Sequence, residues 1–154
     1  MSEYYTQPFH LRYAALGDTA ETAFLTTHPK AHRLGLSRPQ LSVIKMDPNL
    51  RYTPDFMLED GAYEVMGFSS RGNGSLKLKF EKADALRSWD MLIPTHLWVY
   101  DSGRKRYWCA PIRDWLDACY HSGERLHFAD NHRPYWNLPH AHFPGQPAAV
   151  TEAA

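Results

Sequence analysis

The hydrophobic period of the chain changes several times along its length, and each change marks an element. Residues 17–29, GDTAETAFLTTHP, predict a short helix that Asp18 or Thr19 caps and His28-Pro29 closes. LSVIK at 41–45 has the composition of a strand. RYTPDFML and AYEVMGF, parted by Glu59-Asp60-Gly61, predict a β-hairpin, and SSRGNGS a loop after it. The next segment, LKLKFEKADALRSW, reads two ways. Leu76, Phe80 and Ala83 share one helical face behind a Ser75 cap, while the alternation from Leu76 to Phe80 permits a strand at the start. THLWVYD and RYWCAPI predict a second hairpin across SGRK, followed by a helix over RDWLDACYHSG with a glycine stop. The remainder is punctuated by prolines, lacks periodicity and ends in small residues expected to fray. Helix, strands, helix, strands, helix is the order of a mixed α/β domain with a central sheet.

Composition narrows the class. The chain has 154 residues, enough for one domain with a real core, and it is 44% hydrophobic and 22% charged, unlike disordered chains. No run approaches the ~18 apolar residues of a membrane span, and the opening MSEYYTQPFH has no signal-peptide core. Two cysteines make no disulfide scaffold, so a reducing, cytoplasmic setting is expected.

Charge changes the picture further. The totals cancel, 17 basic against 17 acidic, but residues 71–106 carry eight basic and four acidic side chains, a local +4. Arg71, Lys77, Lys79, Lys82 and Arg87 form one cluster and Arg104, Lys105 and Arg106 another. A local patch binds phosphates whatever the total charge, because screening confines the interaction to about a Debye length. A solvated face and a charged turn are the plainer account of the same residues.

The sharpest chemistry lies in the first hairpin. With the turn centred on Glu59-Asp60, Asp55 stands directly across from Glu64; centred on Asp60-Gly61, it stands diagonal to it. Either register puts Asp55, Glu64 and Met66 on one face and Phe56, Leu58, Tyr63 and Val65 on the other. Two carboxylates on one sheet face repel, and a divalent cation offsets that cost. Mg²⁺ is commonly held by one or two carboxylates with waters and substrate phosphates. The plainer account makes Asp55 a turn cap after Pro54 and Glu64 an exposed strand residue.

Pro54-Asp55 followed by Glu64-Val65-Met66 resembles the signature of the PD-(D/E)XK nuclease superfamily, and most nearly its phage endonuclease I type of Holliday-junction resolvase. Supporting stretches are Tyr52 to Phe56, Glu64 to Gly67, the segment Asp114 to Cys119, then Phe128 to Asp130, Pro134 and Trp136. The resemblance implies a single nuclease-like domain over residues 1–140, with 1–14 as an arm, a central mixed sheet flanked by helices, and a flexible tail over 141–154. It implies Mg²⁺ or Mn²⁺ held by Asp55, Glu64 and the Val65 carbonyl. Glu21, 34 residues before Asp55, is a further ligand by the same resemblance, although its spacing from Asp18 also suits a capping box. The implied activity is hydrolysis of DNA, branched DNA above all, by a homodimer.

One position departs from the signature: Met66 stands where the motif has lysine, and a thioether has neither charge nor affinity for Mg²⁺. Either Lys77 or Lys79 supplies the missing charge, or the site is disabled, or the chain binds DNA or a host protein without cutting. Arg71, Lys77, Lys79 and Lys82 are then expected to grip phosphates beside the site, and Arg104, Lys105 and Arg106 a second duplex arm. Cys109, Cys119, His121 and His127 lack zinc-ligand spacing. Trp98, Trp108 and Trp115 suit core packing, whereas Trp136 suits stacking on a partner.

Overall fold

A computed structural model of the chain describes residues 15–36 and 45–151. The arm at 1–14 and all but Lys45 of the strand expected at 41–45 lie outside the described residues. The first helix, α1, runs Ala15–Thr27, so Asp18 and Thr19 lie within it rather than at its cap, and the Asp18 carbonyl accepts from Thr22 Oγ1 at 2.9 Å. Next come β1 (His32–Arg33), α2 (Pro48–Arg51), β2 (Phe56–Leu58) and β3 (Gly61–Phe68). Asp47 caps α2 by accepting from the Asn49 amide, and Pro48 fits its first position.

The hairpin register follows the first of the two alternatives: Leu58 pairs with Gly61, Met57 with Ala62 and Phe56 with Tyr63. Gly61 has φ +147, and a Cβ there would lie 2.2 Å from the Pro94 carbonyl oxygen, so only glycine fits the turn. Alternation settles the ambiguous segment. Residues Ser75–Lys79 form β4, with Leu76 and Leu78 buried and Lys77 and Lys79 exposed, and α3 (Phe80–Asp90) begins immediately after. The strand wins because β4 has a partner: Leu76 pairs with Leu138 and Leu78 with Trp136 of β8 (Pro134–Pro139). Then follow β5 (Thr95–Asp101), β6 (Arg106–Pro111), α4 (Ile112–Ser122, stopped at Gly123) and β7 (Glu124–His127), which also pairs with β8.

A six-stranded sheet of order β1-β2-β3-β5-β6-β9 carries the architecture, β9 being Ala148–Ala149. Its β3 and β5 are parallel and its other pairs antiparallel, so the expected central mixed sheet flanked by helices is present. On one face α1 packs Ala20, Ala23 and Phe24 against Phe56, Tyr63, Val65 and Trp98. On the other, α3, α4 and the small β4-β8-β7 sheet enclose Leu97, Val99, Leu86, Ile112 and Trp115.

Of the segment expected as a flexible tail over 141–154, the described residues 141–150 belong to the fold instead. Phe143 is buried, its ring 5.0–5.1 Å from those of Phe68, Trp108 and Trp115, and β9 pairs with β6. Trp98 and Trp115 are fully buried and Trp108 nearly so, while Trp136 stacks on Phe80 at 5.0 Å within the molecule. Among the described residues no helix is long and apolar enough to cross a membrane.

Candidate functional site

Asp55 immediately precedes β2, and the hairpin register carried one step back sets it opposite Glu64 of β3. Its backbone is pinned: the Asp55 carbonyl accepts from the Leu34 and Gly35 amides at 2.9 and 3.2 Å. Gly35 comes so close to this segment that a Cβ there would lie 2.8 Å from the Pro54 carbonyl oxygen. The Asp55 carboxylate in turn accepts from the Val65 amide at 2.9 Å, crossing to the strand that carries Glu64. Because Tyr63 and Val65 point into the α1 core, alternation turns Glu64 to the other face, where α3 lies. Glu64 is only 4% exposed, and its carboxylate bonds the Lys82 ammonium of α3.

Lys82 is thus the lysine at the carboxylate pair. Lys77 and Lys79 point to the outer face of the small sheet, 5.7 Å from the ring centroids of Tyr135 and Phe128 respectively. Met66, at the motif position, packs against the core. The signal for Lys82 lay in the strand-to-helix switch at Lys79-Phe80. A helix running from Ser75 gives every lysine a different facing, whereas one beginning at Phe80 brings Lys82 to the hairpin.

Electrostatics makes the pair costly when ionised. Burial pushes the Asp55 carboxyl well above its usual range, and the Glu64 charge pushes it the same way; Lys82 and the Val65 amide pull it back. Burial likewise raises Glu64, against the charge and hydrogen bond of Lys82. Burial alone would lower the Lys82 ammonium, but Glu64 and Asp55 together hold it above its ordinary value. Lys82 therefore stays protonated at neutral pH and acts as a fixed cation, not as a base.

No family model, curated protein or solved structure matches this chain. Among the described residues no three His, Cys, Asp or Glu side chains gather as metal ligands. Glu21, expected as the third, accepts instead from Arg33, whose Nη2 lies 2.7 Å from Glu21 Oε2. Its charge is still felt at Asp55 and at Glu64, which it helps to raise. Cys119 is buried in the core and Cys109 is exposed on β6.

The basic residues expected to hold phosphate divide into two groups. Lys82 bonds Glu64, Lys79 lies near Lys82 without touching either carboxylate, and Lys77 sits over Tyr135 on the outer face of the small sheet. Arg71, Arg104, Lys105 and Arg106 gather at the far end of β3 and β5, where Phe68 pairs with Asp101 and Asp101 with Arg106. Phe68 is four residues beyond Glu64, about 13 Å along the strand. Arg106 there is engaged with Asp101 at 3.1 Å and lies over the Trp108 ring at 4.7 Å. Two arginines that the sequence did not single out stand close to the site instead. Arg51 of α2 and Arg133, just before β8, both donate to Glu81 Oε2 at the start of α3, at 2.7 and 3.3 Å.

Proposed function

We propose that the chain is a DNA endonuclease of PD-(D/E)XK type that depends on Mg²⁺ or Mn²⁺, with Lys82 in the role of the motif lysine. The observation that carries this reading is one cluster: half-buried Asp55 facing buried Glu64, with a lysine from the adjacent helix against the latter. The donors suit a hard divalent cation, which takes one or two carboxylates and completes its shell with water and phosphate oxygens. Asp55 and Glu64 would hold it with the Val65 carbonyl, and Glu21 would join only by leaving Arg33. When bound, such a cation polarises a phosphoryl oxygen and offsets the carboxylates' repulsion. Lys82 contributes a permanent positive charge where charge builds up on the phosphoryl group. Preference for branched DNA and action as a homodimer follow from the resemblance.

A second reading is favoured by the Lys82–Glu64 bond itself, since an ammonium already satisfies that carboxylate. On this reading the chain binds DNA or a protein and does not cut. Incubation with supercoiled plasmid and with a four-way junction, in Mn²⁺ or in EDTA, separates the two. Metal-dependent nicking that Asp55→Asn and Lys82→Ala abolish is the expected result. Intact DNA in Mn²⁺ and Mg²⁺, bound equally well in EDTA, gives the case to the second reading. Met66→Lys is expected to leave cleavage unchanged, because Lys82 already supplies the charge.

A further inference from the structure

The amino end of α3 gathers more positive charge than the carboxylate pair uses. Arg51 and Arg133 share a single acceptor, Glu81 Oε2. The Arg51 side chain is 11% exposed, yet its buried Nε has no hydrogen-bond partner among the described residues. Lys79, at the N-cap of this eleven-residue helix, provides no side-chain acceptor, and among the described residues no carboxylate pairs with it. Glu81, in the first turn of α3, is set against the positive end of the helix dipole and three cations together. Their crowding shows in Lys79, whose ammonium is held below its ordinary value by desolvation first and then by Lys82, Arg133 and Arg51. Native proteins seldom leave a buried guanidinium donor unmade, because its desolvation goes uncompensated.

We propose that Arg51, Lys79 and Arg133 form a phosphate clamp that grips a phosphodiester of a DNA strand beside Asp55 and Glu64, with Glu81 holding the two guanidiniums in place. Two forked guanidiniums and an ammonium offer donors in several directions, which suits a tetrahedral phosphate better than a planar carboxylate. The clamp adjoins the carboxylate pair through Tyr52: Arg51 lies 4.8 Å from its ring centroid and Lys82 5.6 Å. On the other side, Lys79 lies over Phe128, whose ring centroid is 4.2 Å from that of Tyr135. A nucleotide held there has an aromatic surface within reach of its base, as single-strand binders provide. The choice of DNA rests on the nuclease reading; the recognition of phosphate does not.

The test is fluorescence anisotropy of the full chain with labelled single-stranded and duplex DNA in EDTA, across a salt series. Arg133→Gln and Lys79→Gln are each expected to weaken binding about fivefold and to reduce the salt slope by about 0.7–0.9 per charge removed. Arg87→Gln, an exposed position further along α3, is the control for lost charge and is expected to bind like the parent. Glu81→Gln is expected to bind more tightly, while Asp84→Asn does not, and a gain cannot arise from misfolding. Calorimetric titration with inorganic phosphate identifies the source. Phosphate binding lost in Arg133→Gln, with DNA affinity unchanged, assigns the clamp to free phosphate. Equal losses in Arg87→Gln and Arg133→Gln, or no change in DNA and phosphate binding for any variant, overturn the clamp. Cleavage is scored separately: a clamp that passes in a chain that never cuts refutes the nuclease reading alone, and cutting by variants with unaltered binding refutes the clamp alone.

Discussion

Asp55 is the residue at which stability and the proposed function oppose each other. Its folded pKa lies above the unfolded value, so the folded state binds the proton more tightly. Stability therefore falls as pH rises from about 4 through the folded pKa, and the penalty persists at neutral pH. Asp55→Asn removes that penalty and keeps an oxygen for the Val65 amide, so the metal-free variant should be more stable than the parent at pH 7 and lose the Asp55 share of the pH dependence, leaving that of Glu64. The proposed cleavage should fall about 1000-fold, equivalent to about 4 kcal/mol of lost transition-state stabilisation. Urea denaturation at pH 5 and pH 8 measures the first effect, and a variant less stable than the parent at pH 8 would refute it. Lys82→Met acts in the opposite sense, leaving Glu64 buried without its cation. It should cost about 3–5 kcal/mol in EDTA. Saturating Mn²⁺ should restore part of this in a thermal melt, and a melt indifferent to Mn²⁺ counts against a cation at this pair.

At the scale of elements, the hairpin was legible in the sequence because alternation and turn chemistry agree there, and Asp55 and Glu64 follow from register alone. The small sheet was not legible. Its β7 and β8 lie in a stretch punctuated by prolines, and Pro134 and Pro139 bound β8, so no period reveals them. Without β8 as a partner the alternation of 76–80 competes evenly with a helix, and the facing of Lys82 cannot be read. Gly35 was equally silent, since its role is a close approach between β1 and the Thr53–Asp55 segment. A Cβ at Gly35 would meet the Pro54 oxygen at 2.8 Å, the Thr53 oxygen at 3.0 Å and Asp55 Cα at 3.2 Å, all backbone atoms that do not yield easily. Gly35→Ala should cost about 1–3 kcal/mol. It should also slow the proposed cleavage by about 100-fold through displacement of Asp55. Gly72→Ala, whose nearest neighbour is 3.4 Å away, provides the comparison and should leave both unchanged. Equal kinetics for the two alanine variants would mean that the Gly35 contact does not position Asp55.

For the whole molecule, the local +4 of residues 71–106 turns out to be two separate patches. One adjoins the carboxylates, where Arg51 and Arg133 join it from distant parts of the chain; the other lies at the opposite end of β3 and β5. Segment arithmetic cannot show this, because folding sorts charges by strand end and not by position in sequence. The same sorting brings the C-terminal segment back into the core. Phe143 fills the space among Phe68, Trp108 and Trp115, and Val150 packs on the α1 side of the sheet after β9 has closed its edge. Phe143→Ala should cost about 3–5 kcal/mol, the range for truncating a buried aromatic ring. Against a typical domain stability of about 5–15 kcal/mol, that leaves a folded but weakened protein. Ending the chain at His140 removes Phe143 and the β9 edge together and should lower the melting temperature further than Phe143→Ala. If the truncated chain instead melts with the parent, this segment is not part of the core. If Phe143→Ala and the truncation melt together, the ring alone supplies the stability and the β9 pairing adds nothing measurable.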